Sequence, residues 1–179
     1  VTFGKAKLQK GELKTRFHDG PVVFSRDMNT AMLTRSNIKR GKLQRDAQKR
    51  AHLQLFSATL SKKKYKNAVL LPFNGDAYST GHPALAPDGK TMVFASEIAG
   101  GQGGSDLYIT KLENGGWTTP QNLGAEINSP GDELFPFITS TGMLWFASNG
   151  HPGLGGLDIF YSSSDAKGRW ANVKNPGGP

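Results

Sequence analysis

Two short apolar runs punctuate the chain, Met92-Val93-Phe94-Ala95 and Leu144-Trp145-Phe146-Ala147, each bounded by polar and turn-forming residues. Four consecutive apolar positions without helical i, i+3, i+4 spacing predict a strand buried on both faces. An alternating stretch precedes each run. Pro83 to Ala86, for example, leads into Pro87-Asp88-Gly89, where Asp can cap the backbone and Gly can take a positive φ. After each run come a glycine-rich loop and a further strand, Asp106-Leu107-Tyr108-Ile109 or Asp158-Ile159-Phe160-Tyr161. A last strand is marked by Trp117 or Trp170.

These elements belong to a repeat. Pro83 matches Pro136, Phe94 matches Phe146, and Ser96 matches Ser148. Asp106 likewise matches Asp158, Tyr108 matches Phe160, and Trp117 matches Trp170, always 52 or 53 residues apart. A fainter unit lies upstream, with Asp19-Gly20 opening into Pro21-Val22-Val23-Phe24-Ser25, and Leu53-Gln54-Leu55-Phe56-Ser57 resembling the strand after Asp106. Repeated four-stranded units of roughly 40–50 residues are the pattern of β-propeller blades. Such a sheet cannot bury both its faces alone, so units must stack. The expected fold is therefore all-β, a propeller of four-stranded antiparallel blades, present in part. Residues 1–71 form a degenerate first blade with a basic insertion at about 26–52. Residues 72–130 form the second blade and 131–179 the third, the chain ending where a further blade would begin.

Composition agrees, with 23 Gly and 10 Pro in 179 residues, too many for a helix bundle. There is no Cys, which excludes a disulfide scaffold, a Cys-ligated metal and thiol catalysis. No apolar run is long enough to span a bilayer as a helix. Charge divides the chain, at +13 over residues 1–75 and −5 over residues 76–179. Lys39, Arg40, Lys42, Arg45, Lys49 and Arg50 form the densest basic cluster, and Lys62, Lys63, Lys64 and Lys66 a second. Residues 26–55 contain no Phe, Tyr or Trp, so the stacking platforms of a nucleic-acid surface are missing. The stretch reads as a solvated, mobile insertion or as a docking site for an acidic protein surface, lipid headgroups or phosphate, with nucleic acid least favoured.

The segments YSTGHPALAPDGKTMVFAS, GGQGGSDLYI, INSPGDELFPFI and FASNGHPGLGGLDIF resemble the WD-repeat-like, TolB-type blades of OmpA-family outer-membrane proteins. Within that group the resemblance is nearest to the PorE-type lipoproteins of the type IX secretion system. It covers residues 72–179 and is weaker from 17 to 66. It implies a periplasmic propeller attached to the outer membrane by a lipidated N-terminus, beside an OmpA-like domain that binds peptidoglycan. Neither function can be placed on residues of this sequence. The partners implied are other protein subunits of a cell-envelope complex, with no cofactor, no metal and no nucleic acid.

No catalytic constellation emerges. The loops Gly100–Gly104 and Gly153–Gly156 lack the Lys-Ser/Thr and following helix of a phosphate loop, and a structural role in tight bends is favoured. Asp106 and Asp158, repeated at one position, are expected to cap backbone N–H groups of those loops. His18, His52, His82 and His151 show no metal-ligand spacing, and His82 and His151, each before Pro, either project at a rim or bond backbone groups. Gly104-Ser105-Asp106 is not a nucleophile elbow. Asp132 and Glu133 after Asn128 form a minimal candidate for Ca²⁺. Phe94, Phe146, Trp117, Trp145 and Trp170 read as packing positions. The leading function is thus a non-catalytic scaffold that binds proteins through the basic cluster. The alternative is a glycan-binding propeller.

Overall fold

The computed structural model describes residues 12–165 and 168–177, so the start of the first unit and the closing Gly178-Pro179 lie outside the described residues. The described chain is all strand and loop. The first sheet holds β1 (Asp19–Phe24), β2 (Thr30–Ser36), β5 (Leu53–Ser61) and β6 (Lys64–Leu70), with β3 (Ile38–Lys39) and β4 (Lys42–Leu43) forming a separate small hairpin. In the second, β7 (Thr80–Leu85), β8 (Thr91–Ser96) and β9 (Asp106–Glu113) are followed by two short pieces that both pair with β9, β10 (Gly116–Trp117) and β11 (Gln121–Asn122). The third contains β12 (Glu133–Ile138), β13 (Leu144–Ser148), β14 (Asp158–Ser164) and β15 (Trp170–Lys174). Every pairing is antiparallel and each sheet is an up-and-down meander. The first strands of successive sheets lie against one another, β1 beside β7 and β7 beside β12.

The continuous apolar run of β8 is explained by its place in the stack. Met92 and Phe94 face the first sheet, meeting Met32, Leu55 and Leu71, while Val93 and Ala95 face the third, meeting Leu144, Phe146 and Phe160. All four β8 residues are buried. At about 1.5–3 kcal/mol for each large apolar side chain taken out of water, these two interfaces supply most of the cohesion between sheets. Aromatic contacts add direction. Phe94 stacks on Phe73 at 4.8 Å and on Tyr108 at 6.1 Å, and Phe146 on Phe160 at 6.0 Å.

The basic segment 26–52 is not one insertion. Thr30–Ser36 within it is β2, a central strand whose residues Ala31 to Ser36 are all buried. Arg35 is the reason the run escapes a hydrophobicity reading, because its charge is taken inside and paired with Asp19 at 3.0 Å. The true excursion is residues 37–52, between β2 and β5.

Each first strand also carries an X-Pro step, Gly20-Pro21, His82-Pro83 or Phe135-Pro136, and each is the place where its register with the next strand shifts. Proline has no N–H to give the ladder, so a bulge forms there. His82 and Phe135 accordingly take positive φ values of 52° and 51°.

Candidate functional site

Residues 37–52 leave the first sheet and return to it over the edge of the second. Their base is closed by the Asn37 N–H donating to the His52 carbonyl at 2.8 Å and the Gln44 N–H to the Asn37 carbonyl at 2.8 Å. The tip of the β3–β4 hairpin turns through Arg40 and Gly41, with φ of 49° and 74°, a conformation in which Gly is at ease and Arg is not. Arg16 donates to the Gly41 carbonyl at 2.8 Å and ties the tip to the preceding chain.

The return arm is organised by Asp46. Its carboxylate accepts from the Arg50 backbone at 2.8 Å, the Arg50 guanidinium at 2.9 Å and faces His52 Nε2 at 2.9 Å. Burial alone would raise this carboxyl; the bonds from the Arg50 backbone and His52, with the Arg50 charge, outweigh it and hold it at about 2. His52 is itself buried, and its Nδ1 lies 3.3 Å from Ser79 Oγ and 3.6 Å from Glu97 of the second sheet. Asp46, His52 and Ser79 thus stand in the order of a catalytic triad. The Ser79 N–H, however, donates to Glu97 at 2.8 Å, and the Ser79 hydroxyl also receives the Leu53 N–H at 3.4 Å, so this hydroxyl joins two sheets rather than facing a substrate with free N–H donors beside it. A second tether joins the outward arm to the connection that leads from β6 into β7: Asn37 Nδ2 donates to Asp76 at 2.9 Å, and Lys39 Nζ pairs with it at 2.6 Å. The Lys39 bond, then that from Asn37, holds the Asp76 carboxyl below the usual range.

The six basic residues therefore divide. Lys39 is bound to Asp76, Arg50 to Asp46, and Arg45 donates to the Lys49 carbonyl at 2.7 Å. Arg40, Lys42 and Lys49 are exposed, and none of their side chains makes an ion pair among the described residues.

The repeated positions lie elsewhere. Asp106, fully buried, accepts from the backbone N–H of Gln102 at 2.6 Å and Gly103 at 3.2 Å, and from Asn122 Nδ2 at 2.8 Å. Asp158 accepts from the Gly155 N–H at 3.0 Å. A Cβ at Gly101 or Gly153 would overlap the carboxylate of Asp106 or Asp158, which is why each loop has Gly five residues before its Asp. Trp117 packs into the interface between the first and second sheets and Trp170 into that between the second and third, its Nε1 donating to the Gly142 carbonyl at 2.9 Å. Trp145 differs from the packing expected of it: one residue out of phase with Leu144 and Phe146, it lies on the other face of the third sheet and stacks on Tyr161 at 4.9 Å.

His82 lies within β7, not on a loop, stacked on Phe135 at 4.1 Å; burial, and to a lesser degree His18, lowers its pKa. His151 Nε2 bonds the Ile127 carbonyl at 2.8 Å. Asp132 and Glu133 diverge. Asp132 accepts from the Ser105 N–H at 2.9 Å, whereas buried Glu133 accepts from Ser129 Oγ at 2.5 Å and Ser148 Oγ at 2.6 Å. No group of three or more potential metal ligands occurs among the described residues. Between the outer strands of the second and third sheets opens a groove of about 1050 Å³, whose lining includes Trp170, Thr118, Gln121, Glu126 and Asn172.

Nothing in the sequence assigned an anchoring role to Asp46, Asp76 and Asn37, or to His52, singled out there only for its lack of metal-ligand spacing; these groups hold the excursion in place. The pattern Asp46-x-x-x-Arg50-x-His52 was the available signal, but its meaning depends on Ser79 and Glu97 arriving from the next sheet.

No family model and no curated protein matches the chain. Solved structures do. TolB from Acinetobacter baumannii superposes with a TM-score of 0.55 at 14% identity, covering 91% of this chain and 33% of TolB. A putative TolB from Agrobacterium tumefaciens gives 0.55 at 16% identity, over 90% of this chain and 50% of its own. A puromycin-hydrolyzing peptidase of Mycobacterium tuberculosis gives 0.55 at 14% identity, over 89% and 22%. At these identities the likeness shows the fold, a β-propeller of the TolB type, and this chain spans half or less of each neighbour's length.

Proposed function

We propose that the chain is part of a non-catalytic propeller scaffold that binds protein partners through the excursion at residues 37–52. The observation that carries this reading is the division of its charges. Lys39, Arg45 and Arg50 are spent on fixing the loop, and Arg40, Lys42 and Lys49 are left displayed on it. Charges held on a tethered loop cost less entropy to engage than charges on a mobile one, which suits recognition of an acidic protein surface. The peptidase neighbour shares only the fold, and function follows sites rather than folds.

The resemblance of the repeats to PorE-type proteins supports the reading that such a scaffold works in the periplasm, attached to the outer membrane, within the type IX secretion or gliding machinery. The TolB likeness is consistent with a bacterial envelope setting. Changing Arg40, Lys42 and Lys49 together to Ser tests the docking role. The far-UV spectrum and melting temperature are expected to stay as in the parent chain, while recovery of envelope proteins in pull-downs falls; undiminished recovery refutes the assignment.

A second reading, a glycan-binding module, is favoured by one feature, the groove that sets Trp170 beside Thr118, Gln121 and Asn172. It predicts that the purified chain sediments with peptidoglycan sacculi in the absence of any OmpA-like domain, and the scaffold reading predicts that it does not.

A further inference from the structure

The second basic cluster, Lys62, Lys63, Lys64 and Lys66, has no part in the excursion. Ser61 pairs with Lys64 across β5 and β6, so Lys62 and Lys63 are the two residues of the turn, with φ of 48° and 63°. The repeat supplies a comparison. In the second sheet the same turn, between Glu113 and Gly116, is Asn114-Gly115, with φ of 51° and 81°. Asn and Gly enter the left-handed conformation readily and Lys does not, and two adjacent ammonium groups also repel each other. Nothing in the fold offsets either cost, since all four lysines are exposed and none makes an ion pair among the described residues. Lysines on an edge strand discourage pairing with another chain, which accounts for Lys64 and Lys66 on β6, the outermost strand. Lys62 and Lys63 have no ladder to protect. A residue pair that breaks a local rule without structural gain marks a functional position.

The turn between β1 and β2 lies beside this hairpin, because the Tyr65 hydroxyl donates to the Met28 carbonyl at 2.6 Å and the Leu60 N–H to the Asn29 carbonyl at 2.7 Å. Exposed Arg26 and half-exposed Met28 therefore share its end of the sheet. The nearby carboxylates are otherwise engaged. Asp27 accepts from Ser25 Oγ at 2.6 Å and Asn29 Nδ2 at 2.8 Å, and Glu12 from the Ala68 N–H at 2.9 Å. The excursion leaves from the opposite end: Thr30 pairs with Thr59 at one end of β2 and Ser36 with Leu53 at the other. The two ends are about 20 Å apart at the usual rise per residue.

We propose that the tip of the β5–β6 hairpin, with Arg26 and Met28, is a contact surface for an anionic lipid layer. Lysine ammoniums on flexible stems are point charges that need no fixed partner geometry, and here they stand on a turn at the end of a sheet, none of them lining the groove described above. That arrangement fits a fluid, planar array of phosphates better than the fixed carboxylates of a folded partner. Met28 adds an apolar side chain for the boundary between headgroups and acyl chains. The contact is independent of the docking role of the excursion, and the two surfaces can be engaged together because they occupy opposite ends of the first sheet.

Vesicle sedimentation of the whole chain tests this. The chain should pellet with vesicles of phosphatidylcholine and phosphatidylglycerol in equal amounts, not with phosphatidylcholine alone, and added salt should release it. Lys62→Asn with Lys63→Gly gives the turn the residues of the second sheet, so the melting temperature should hold or rise while vesicle affinity falls roughly tenfold. Arg40→Ser, Lys42→Ser and Lys49→Ser together remove one charge more, but at the far end of the sheet, beyond the screening length of about 8 Å at physiological salt, and should leave vesicle binding nearly unchanged. Equal losses in the two variants would reduce the effect to net charge and overturn the proposal. So would a parent chain that fails to pellet, or one captured by soluble polyglutamate and not by vesicles, the outcome expected of an acidic protein partner. Because the chain has no Cys, Met28→Cys and Lys42→Cys can each carry a single environment-sensitive dye. On anionic vesicles the emission should shift to the blue at position 28 and not at 42; any other pattern refutes the placement of the surface.

Discussion

The connection from the second to the third strand is built in two ways in this molecule. In the second and third sheets it is a glycine-rich loop, residues 97–105 and 149–157, folded back on an aspartate that opens the next strand. In the first sheet it is residues 37–52, with a hairpin of its own and charged side chains, held by His52, Asp46, Asn37 and Asp76. The glycine loops satisfy backbone groups with one inward carboxylate, so their shape depends on close approach and they display little. The basic excursion is anchored through side chains at both its arms, which leaves its remaining cations facing solvent. A loop can carry a surface chemistry only if something other than that chemistry holds it in place.

The largest effect should come from removing a glycine-loop anchor. Asp106→Ala leaves three donors without their acceptor at a fully buried point and should cost about 3 kcal/mol, read as a lowered urea midpoint. Asp158→Ala, at a more open loop where one backbone N–H is accepted, should cost about 1 kcal/mol; equal losses would mean that the two aspartates anchor their loops equally strongly.

Next comes the excursion. His52→Ala removes the link from Asp46 to Ser79 and should cost about 1–2 kcal/mol overall. Its sharper signature is local: trypsin should cut after Arg45, Lys49 and Arg50 much faster than in the parent, with other sites unchanged. Uniform acceleration at all sites would show that the loop opens only with the whole fold.

A smaller change is expected with pH. The Asp46 carboxyl is depressed in the folded state, so its bonds stabilise the return arm at every pH above the unfolded value of 3.8 and are lost as pH falls toward about 2. The Arg50 amide resonance should hold steady down to about pH 4 and then shift with a midpoint of about 2; a midpoint near 4 would contradict the arrangement. Smallest of all, Arg40→Ser and Lys42→Ser should each change stability by no more than about 0.5 kcal/mol by thermal melting, and Lys39→Ser, which breaks an exposed ion pair, by less than about 1 kcal/mol.

Much of the architecture was legible because a propeller-like stack leaves a periodic imprint. A strand buried on both faces must be apolar throughout, which marks β8 and β13, and recurrence of Asp, Phe and Trp at one spacing marks the unit. What escaped reading was whatever a distant residue neutralises. β2 was hidden by Arg35, acceptable inside because Asp19 lies across the ladder from it, the Glu12 carbonyl accepts from its guanidinium and the Phe56 ring lies beneath it. Trp145 could be assigned to a strand but not to a face with a neighbour, since the same alternation serves a covered face and an open one.

Local chemistry by itself therefore determined the number and kind of units, the turns at Asp88-Gly89 and the glycine bends, because each depends on residues close along the chain. Tertiary structure alone decided that three of six clustered cations are consumed as fastenings, that His52 bridges two sheets, and that Leu13 packs on the outward row of the first sheet while Phe137 and Ile159 of the third are half or more exposed. Those outcomes depend on which groups meet through space, and no pattern of apolar and polar positions encodes the distance between an arginine and the carboxylate that answers it.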